Sequence, residues 1–231
     1  MRYQRFSALI GTEKMALLRN KTVLLCGLGG VGSYVFEALV RAGVGRIVVA
    51  DRDVFDITNL NRQLGAMSST VGRWKVEVAW EHAKDIDPST IVDARKISIN
   101  VATVPSLFEP FPDFVIDAID DVDAKIALIA LATTLRVKVI SSMGFANRLH
   151  PELIKIASLN QTSNDPLARV MRTKLKAAGL SLALPVAFST ETPIQPQDAQ
   201  TKLGSSPYVP SVAGLFIASY VINQWIEEER V

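Results

Sequence analysis

Only one of the 231 residues is a cysteine, Cys26. That excludes an internal disulfide and every metal site built from several thiolates. Histidine is nearly as scarce: His82 falls in a helical stretch and His150 precedes a proline, so both are expected to be structural or exposed rather than metal ligands. A dominant charge of one sign is missing too, with 25 Lys and Arg against 23 Asp and Glu. Any surface for nucleic acid must therefore come from local clustering, not from a global field. There is no uninterrupted run of about 20 apolar residues, the length of a membrane span. The longest such stretch, Val212 to Ile226, is broken by Ser219, Asn223 and Gln224 and reads as a buried or docking helix. With no basic start leading into an apolar signal core, a cytoplasmic protein without a membrane partner is expected. No repeat and no linker divides the chain, and 48% apolar residues are ample for a large core. A single unit over 1–231 is expected, its nucleotide-binding part at about 20–144 and a substrate-facing part at about 145–231.

What is present begins with Val23-Leu-Leu-Cys-Gly-Leu-Gly-Gly-Val-Gly-Ser33 and Ile47-Val-Val-Ala-Asp51. Gly27, Gly29 and Gly32 fit G-x-G-x-x-G, with Gly30 between them. The first glycine permits a tight turn, the second lets backbone approach phosphate, and the third lets the next helix pack closely on the strand. That helix, about Ser33 to Arg41, aims its N-terminal amides at phosphate oxygens. Asp51 ends the second apolar run, where a carboxylate can accept from both ribose hydroxyls. The motif binds a nucleotide without saying which.

Apolar or β-branched runs at Val23–Cys26, Arg46–Ala50, Thr90–Ala94, Phe114–Ile119 and Val137–Ser141 alternate with segments long enough for helices. The alternation predicts an α/β fold with a doubly wound, mostly parallel, Rossmann-like sheet. Helical spacing is read over Val71–Asp85 and Asp121–Leu135. After Gly144 the pattern changes to an α+β extension, with strands at Leu153–Leu159 and Val186–Thr190 and a helix from Pro166 to about Ala178. Thr192 to Pro210, rich in Pro, Gln, Ser and Gly, reads as a mobile loop or a lid.

A polar cluster, Asp51 to Gln63, follows the second strand at the carboxyl edge where ligands of such sheets sit. A nicotinamide has no need of it. A triphosphate does, and Asn59, Arg62, Gln63 and, a helix later, Lys75 offer hydrogen bonds and positive charge, with Asp53 among them. Asp117-Ala-Ile-Asp120 ends the fourth strand with two carboxylates, at least one of which could face a magnesium ion bridging phosphates. Singly, Asn59 and Asp53 also suit turns, Lys75 a solvated helix face, and Asp120 or Asp121 the cap of the next helix.

These residues carry a resemblance. GLGGVGS, the acid at 51, NLNRQ at 59–63, Lys75 and DAID at 117–120, with Arg2-Tyr-Gln-Arg-Phe6 in front, resemble the adenylating family of ubiquitin-activating enzymes and bacterial sulfur-carrier activators. The resemblance implies that Asp51 binds the ribose of ATP, that Asn59, Arg62 and Lys75 bind its phosphates, and that Asp120 holds Mg²⁺. It also implies that Arg5 reaches into the ATP site of a second subunit, making a homodimer. Ser142–Asn147, His150-Pro-Glu152, Asp165–Arg172, Phe188–Glu191 and Tyr208–Gly214 resemble the tRNA threonylcarbamoyladenosine dehydratase branch of that family. That branch uses ATP to close the threonyl carboxylate of N6-threonylcarbamoyladenosine in tRNA into a ring. A monovalent cation and a sulfur-relay protein are further partners to consider on this basis.

The chemistry asks for positioning and charge neutralisation, which Arg5, Arg62, Lys75 and a metal held by Asp120 can supply, and it asks for no enzyme thiol. Thioester-forming relatives need an exposed, activated cysteine. Cys26, inside the first strand, suits a small buried apolar residue instead. The alternative is adenylation of the C-terminus of a ubiquitin-like or sulfur-carrier protein without a thioester; an NAD oxidoreductase and a catalytically idle tRNA-binding module are more distant. For tRNA the candidate surface is Arg148, Lys155, Arg169, Arg172, Lys174 and Lys176. Of these, Arg169, Arg172 and Lys176 share one helical face, which spacing alone fits as well to an ordinary solvated surface.

Overall fold

The computed structural model describes residues 2–197 and 203–227. In chain order the elements are α1 (Gln4–Ile10), α2 (Thr12–Arg19), β1 (Thr22–Cys26), α3 (Gly32–Ala42), β2 (Arg46–Asp51), α4 (Lys75–Ile86), β3 (Ile91–Lys96), α5 (Val104–Leu107), β4 (Phe114–Asp117), α6 (Val122–Thr134), β5 (Lys138–Ser142), β6 (Ile154–Ser158), α7 (Pro166–Ala177), β7 (Pro185–Ser189) and α8 (Val209–Glu227). Short 3-10 turns at Ile57–Asn59, Pro151–Leu153 and Leu159–Gln161 join them.

Seven strands form one sheet in the order β3-β2-β1-β4-β5-β7-β6. All neighbours are parallel except the edge pair β6 and β7. The order reverses at β1, so β1 runs between β2 and β4, and the crevice past their carboxyl ends is where a ligand is drawn. The strands alternate with helices as their sequence pattern predicts. The part after residue 144 does not stand apart, because β7 and β6 continue the same sheet.

Val23, Leu25, Ile47, Val49 and Ile116 point to one face, covered by α3 and α8; Leu24, Val48 and Val115 point to the other, covered by α5 and α6. α8 is longer than the apolar run that suggested it, and by length and composition alone its 19 residues are enough to cross a membrane. Ten of them, from Val209 to Trp225, are buried, and Trp225 meets Phe114 edge-on at 6.1 Å between ring centroids. The helix is thus packed as a core element.

Of the boundaries that differ from the sequence reading, two border the carboxyl edge of the sheet. The helical spacing begins at Val71, yet α4 starts at Lys75. Gly72 has φ +83°, and Trp74 is extended and bridges to Val54, so the chain is still turning when the apolar period begins. The run after Phe114 leaves the sheet at Asp117, two residues early, because Ala118 and Ile119 belong to the loop that leads to the cap of α6. The helices α1, α2 and α5 and the three 3-10 turns had no counterpart in the sequence reading.

α1 and α2 are moored at the amino ends of the strands. Gly45 donates to Leu18 O and Arg46 to Lys21 O. The fully buried Asp87, just past the end of α4, accepts from Tyr3 Oη at 2.7 Å, from Arg19, from Arg2 at 3.4 Å and from Ser89 at 2.7 Å. Burial alone would raise the Asp87 carboxyl, but the bonds from Tyr3, Ser89 and Arg19 outweigh it and hold the group well below the usual carboxylate range. Burial and the Asp87 bond together push the Tyr3 phenol up to about 12. A depressed carboxylate contributes stability that is fully present above its unfolded value of about 4 and is lost as the pH falls below it. Asp87→Asn is therefore expected to cost about 2 kcal/mol at pH 7, a melting temperature lower by roughly 4–8 °C, and to flatten the fall in stability between about pH 4 and pH 2. Calorimetry of both proteins across that range checks it; equal acid slopes would remove Asp87 from the acid transition.

Candidate active site

Backbone crowding builds the site. Gly27 has φ +94°, and a Cβ there would lie 2.6 Å from Ala118 O; a Cβ on Gly32 would lie 1.9 Å from Gly27 O. Both positions therefore exclude any side chain. Gly29, by contrast, faces open space, with nothing within 4 Å of a Cβ built there. The amides of Gly29, Gly30, Val31 and Gly32 have no acceptor among the described residues. Free amides at the mouth of an eleven-residue helix are an anion site.

Asp51 supports this turn as well as bordering it. One carboxylate oxygen accepts from Leu28 N at 2.6 Å and the other from Asp53 N at 2.8 Å. A carboxylate has about four acceptor positions, so two remain for a ligand. Asp53 passes the link on: its side chain pairs with Lys75 Nζ at 3.0 Å and its carbonyl accepts from Lys75 N at 3.1 Å. Lys75, the first residue of α4, is only 5% exposed. It is a held cation at the site, not a solvated helix charge.

The turn at 57–59 shapes the other wall. Asp56 and Asn59 form a reciprocal capping box, Asp56 Oδ1 accepting from Thr58 N at 2.8 Å and Asn59 Oδ1 from Asp56 N at 3.1 Å. Asn59 is thus both turn former and buried polar group, with its amide nitrogen left over. Arg62 donates to Thr58 O at 2.8 Å and to Asn61 Oδ1 at 2.9 Å, while its stem and Pro210 close over Gly30. Gln63 is buried, and its Oε1 has no hydrogen-bond partner among the described residues. Leu64 N donates to Ser33 Oγ at 3.2 Å, tying this segment to the first turn of α3.

The paired carboxylates of the fourth strand separate. Asp117 is fully buried and bonded to Lys125 and Ser141, so it is a structural group and no ligand of nucleotide or metal. Asp121, not Asp120, caps α6, accepting from Ala124 N at 2.8 Å. Asp120 is exposed and makes no bond among the described residues. No group of three His, Cys, Asp or Glu side chains clusters for a metal among them. A lone free carboxylate beside an anion site fits Mg²⁺ shared with phosphates, not an all-protein cage. Cys26 lies on β1 opposite Asp117; burial first, then the Asp117 charge, pushes its thiol well up, away from the thiolate a nucleophile requires.

The candidate tRNA surface shrinks. Arg148 is buried at 1% exposure, donating to Gly144 O at 3.0 Å, to Asn164 O at 2.9 Å and to Glu191 O, with Asp165 at 3.6 Å. It joins three loops of the carboxyl edge and cannot contact tRNA. Arg172 is half buried and bonds the turn at 159–162 through Thr162 and Leu159. Lys174 pairs with Asp123 on α6, and Lys155 is exposed on the edge strand β6, away from α7. Arg169 and Lys176 remain exposed on α7, with no ion pair among the described residues. The expected lid, 192–210, lies partly outside the described residues. Its described ends meet at Asn147, which accepts from Ile194 N at 2.9 Å and exchanges two bonds with Gly204. Sequence reasoning missed Lys125, Ser33 and Asn147; the D-x-x-N spacing at 56–59 was the one local signal available for the capping turn.

With this geometry in place, the chain was compared with known proteins. The ThiF family pattern matches residues 3–222. The tRNA threonylcarbamoyladenosine dehydratase of Bacillus subtilis (strain 168) is 39% identical over 99% of this chain and 96% of its own length. The crystal structure of Escherichia coli tRNA N6-threonylcarbamoyladenosine dehydratase, TcdA, in complex with AMP superposes with a TM-score of 0.93 at 30% identity, over 99% of this chain and 95% of that one. Its complex with ATP gives 0.92 at 29%, with the same coverage.

Asp51→Ala removes a ribose acceptor and also orphans the amides of Leu28 and Asp53. ATP affinity is expected to fall by about 1.5–3 kcal/mol, roughly 10- to 150-fold. Titration calorimetry measures it, and an unchanged affinity would take Asp51 out of the site.

Proposed function

We infer, from the premise that this chain belongs to the ThiF family, that it is an ATP-dependent enzyme adenylating the threonyl carboxylate of N6-threonylcarbamoyladenosine in tRNA and closing it into a ring. The observation that carries this reading is the glycine turn, open at Gly29, with four free amides and with Arg62 folded over its edge. In the first step a carboxylate oxygen of the substrate attacks the α-phosphorus of ATP and pyrophosphate leaves. The amides of the turn and Arg62 hold the phosphates, Asp51 the ribose, and Asn59, Gln63 and Lys75 the surrounding polar wall. In this reading Lys75 exchanges its bond to Asp53 for a phosphate oxygen. When bound at Asp120, Mg²⁺ supplies charge neutralisation to the phosphates.

In the second step the substrate's own carbamoyl group attacks the activated carbonyl, gives up a proton and expels AMP. Intramolecular closure proceeds at effective molarities on the order of 10⁵ M or more, so no enzyme nucleophile is needed. The buried, protonated state of the Cys26 thiol supports that route over a thioester. Arg169 and Lys176 on α7 are the residues we assign to tRNA phosphates, and a cytoplasmic homodimer completes the proposal. Arg5 supports the dimer: α1 is moored at the amino edge of the sheet, whereas the glycine turn lies at the carboxyl edge of the same subunit. The length of α4, about 18 Å at 1.5 Å per residue, separates Lys75 from the Asp87 mooring. This separation supports the reading in which Arg5 serves a second subunit's site.

The direct test is incubation of the enzyme with ATP, Mg²⁺ and tRNA bearing the threonylcarbamoyl base, followed by nucleoside mass analysis. Loss of one water from the base and stoichiometric AMP are expected, and Cys26→Ala is expected to give the same product. A folded, ATP-binding Cys26→Ala protein without product would restore the thioester route. Mixing inactive Arg5→Ala with inactive Lys75→Ala is expected to return part of the activity through hybrid dimers holding one intact site. Subunit exchange without rescue would place Arg5 outside the partner's site.

A further inference from the structure

We propose that Lys125 is a positioning residue that sets the active-site loop carrying Asp120, acting through a buried lock with Asp117 and Ser141. The proposal deepens the reading of Asp120 as the carboxylate at the phosphates and rests on it. All three residues of the lock are fully buried. Lys125 Nζ has three protons and three acceptors: Asp117 Oδ2 at 2.9 Å, Ser141 Oγ at 3.2 Å and Ser142 O at 2.9 Å. Ser141 Oγ in turn donates to Asp117 Oδ2 at 2.5 Å, and the other Asp117 oxygen accepts from Ile119 N at 3.3 Å. The lock is thus saturated, and it joins the carboxyl ends of β4 and β5 to the first turn of α6.

An ion pair buried to this extent is a poor source of stability, since desolvation offsets most of its attraction. What it does is fix geometry. The loop 118–120 is bracketed on one side by Asp117, in the lock, and on the other by Asp121, whose carbonyl accepts from Lys125 N at 3.0 Å. Within the loop Ala118 donates to Cys26 O at 2.8 Å, and its own carbonyl is what forbids a side chain on Gly27. Asp120, without a partner of its own, takes its position from these neighbours. Lys125 holds both ends of the bracket, and Asp120 is the one group in the loop left free to meet a ligand.

The test uses the full chain with ATP, Mg²⁺ and threonylcarbamoylated tRNA, and follows AMP release. Lys125→Met with Asp117→Asn replaces the ion pair by a neutral pair of similar volume. We expect kcat to fall about 10²-fold, the scale of a 1 Å misplacement, with KM for ATP within about threefold. Asp120→Asn alone is expected to cost about 10²-fold, and adding it to the pair variant to cost no more than about threefold further. Losses that multiply, with Asp120→Asn harmful by itself, would overturn the positioning role and leave Asp120 in place. An inert Asp120→Asn would overturn both. Should the pair variant not fold, Ser141→Ala keeps the charges and removes one acceptor. It is expected to lower kcat about tenfold at unchanged KM, again without further loss on adding Asp120→Asn; multiplied losses there would overturn the proposal equally.

Discussion

The close approach of two backbone segments at the carboxyl edge of the sheet governs this structure. Gly27 turns the chain out of β1 directly under Ala118 O, and Gly32 starts α3 against Gly27 O. Those contacts leave no room for side chains, and they are what allow α3 to begin close enough to β1 for its unpaired amides to open at Gly29. The same contact brings the β4–α6 loop, with Asp120, beside the anion site. The open glycine turn and the placement of the exposed Asp120 carboxylate are consequences of a single steric constraint. Its energetic counterpart is the Asp51 carboxylate, which satisfies Leu28 N and keeps the turn from collapsing onto the strand.

Besides Asp51 and Lys75 at the glycine turn, the described residues bury charge at three further places. Asp87 moors the N-terminal helices, Asp117 and Lys125 tie β4 and β5 to α6, and Arg148 with Asp165 and Glu191 draws together the loops that follow β5 and β7. Each group is almost fully bonded, as burial requires. Buried ions contribute more to a unique arrangement than to net stability. Their placement fits that: one at the amino edge, where Arg5 is presented, and two at the carboxyl edge, where the glycine turn opens. Gln63 is the exception, with an acceptor oxygen left unpaired in the wall of the site.

The fold was legible because its signals are local and periodic. Apolar runs of strand length alternate with helical spacing, and glycines at three fixed positions announce the first turn. Asp51, Asn59, Arg62, Gln63 and Lys75 were legible as a polar cluster just after a strand, a position where sequence neighbours remain neighbours in space. The candidate tRNA surface was less so. Arg169 and Lys176 stayed exposed, but Arg148 turned inward, since one residue in the sequence cannot show that Gly144 O, Asn164 O and Glu191 O converge on it from three different loops.

Sequence alone thus determined the parallel α/β class, the nucleotide turn and the absence of a usable thiol, because each depends on residue type and short-range spacing. Tertiary structure decided which of two adjacent carboxylates is free. Asp117 and Asp120 are equal in sequence as acids at a strand's end, and only the burial of Lys125 and Ser141 against Asp117 assigns one to the core, while the other is exposed with no bond among the described residues. The difference is one of distance along the chain. Spacing within a turn is set by covalent geometry, whereas a partner 8 or 24 residues away is chosen by packing.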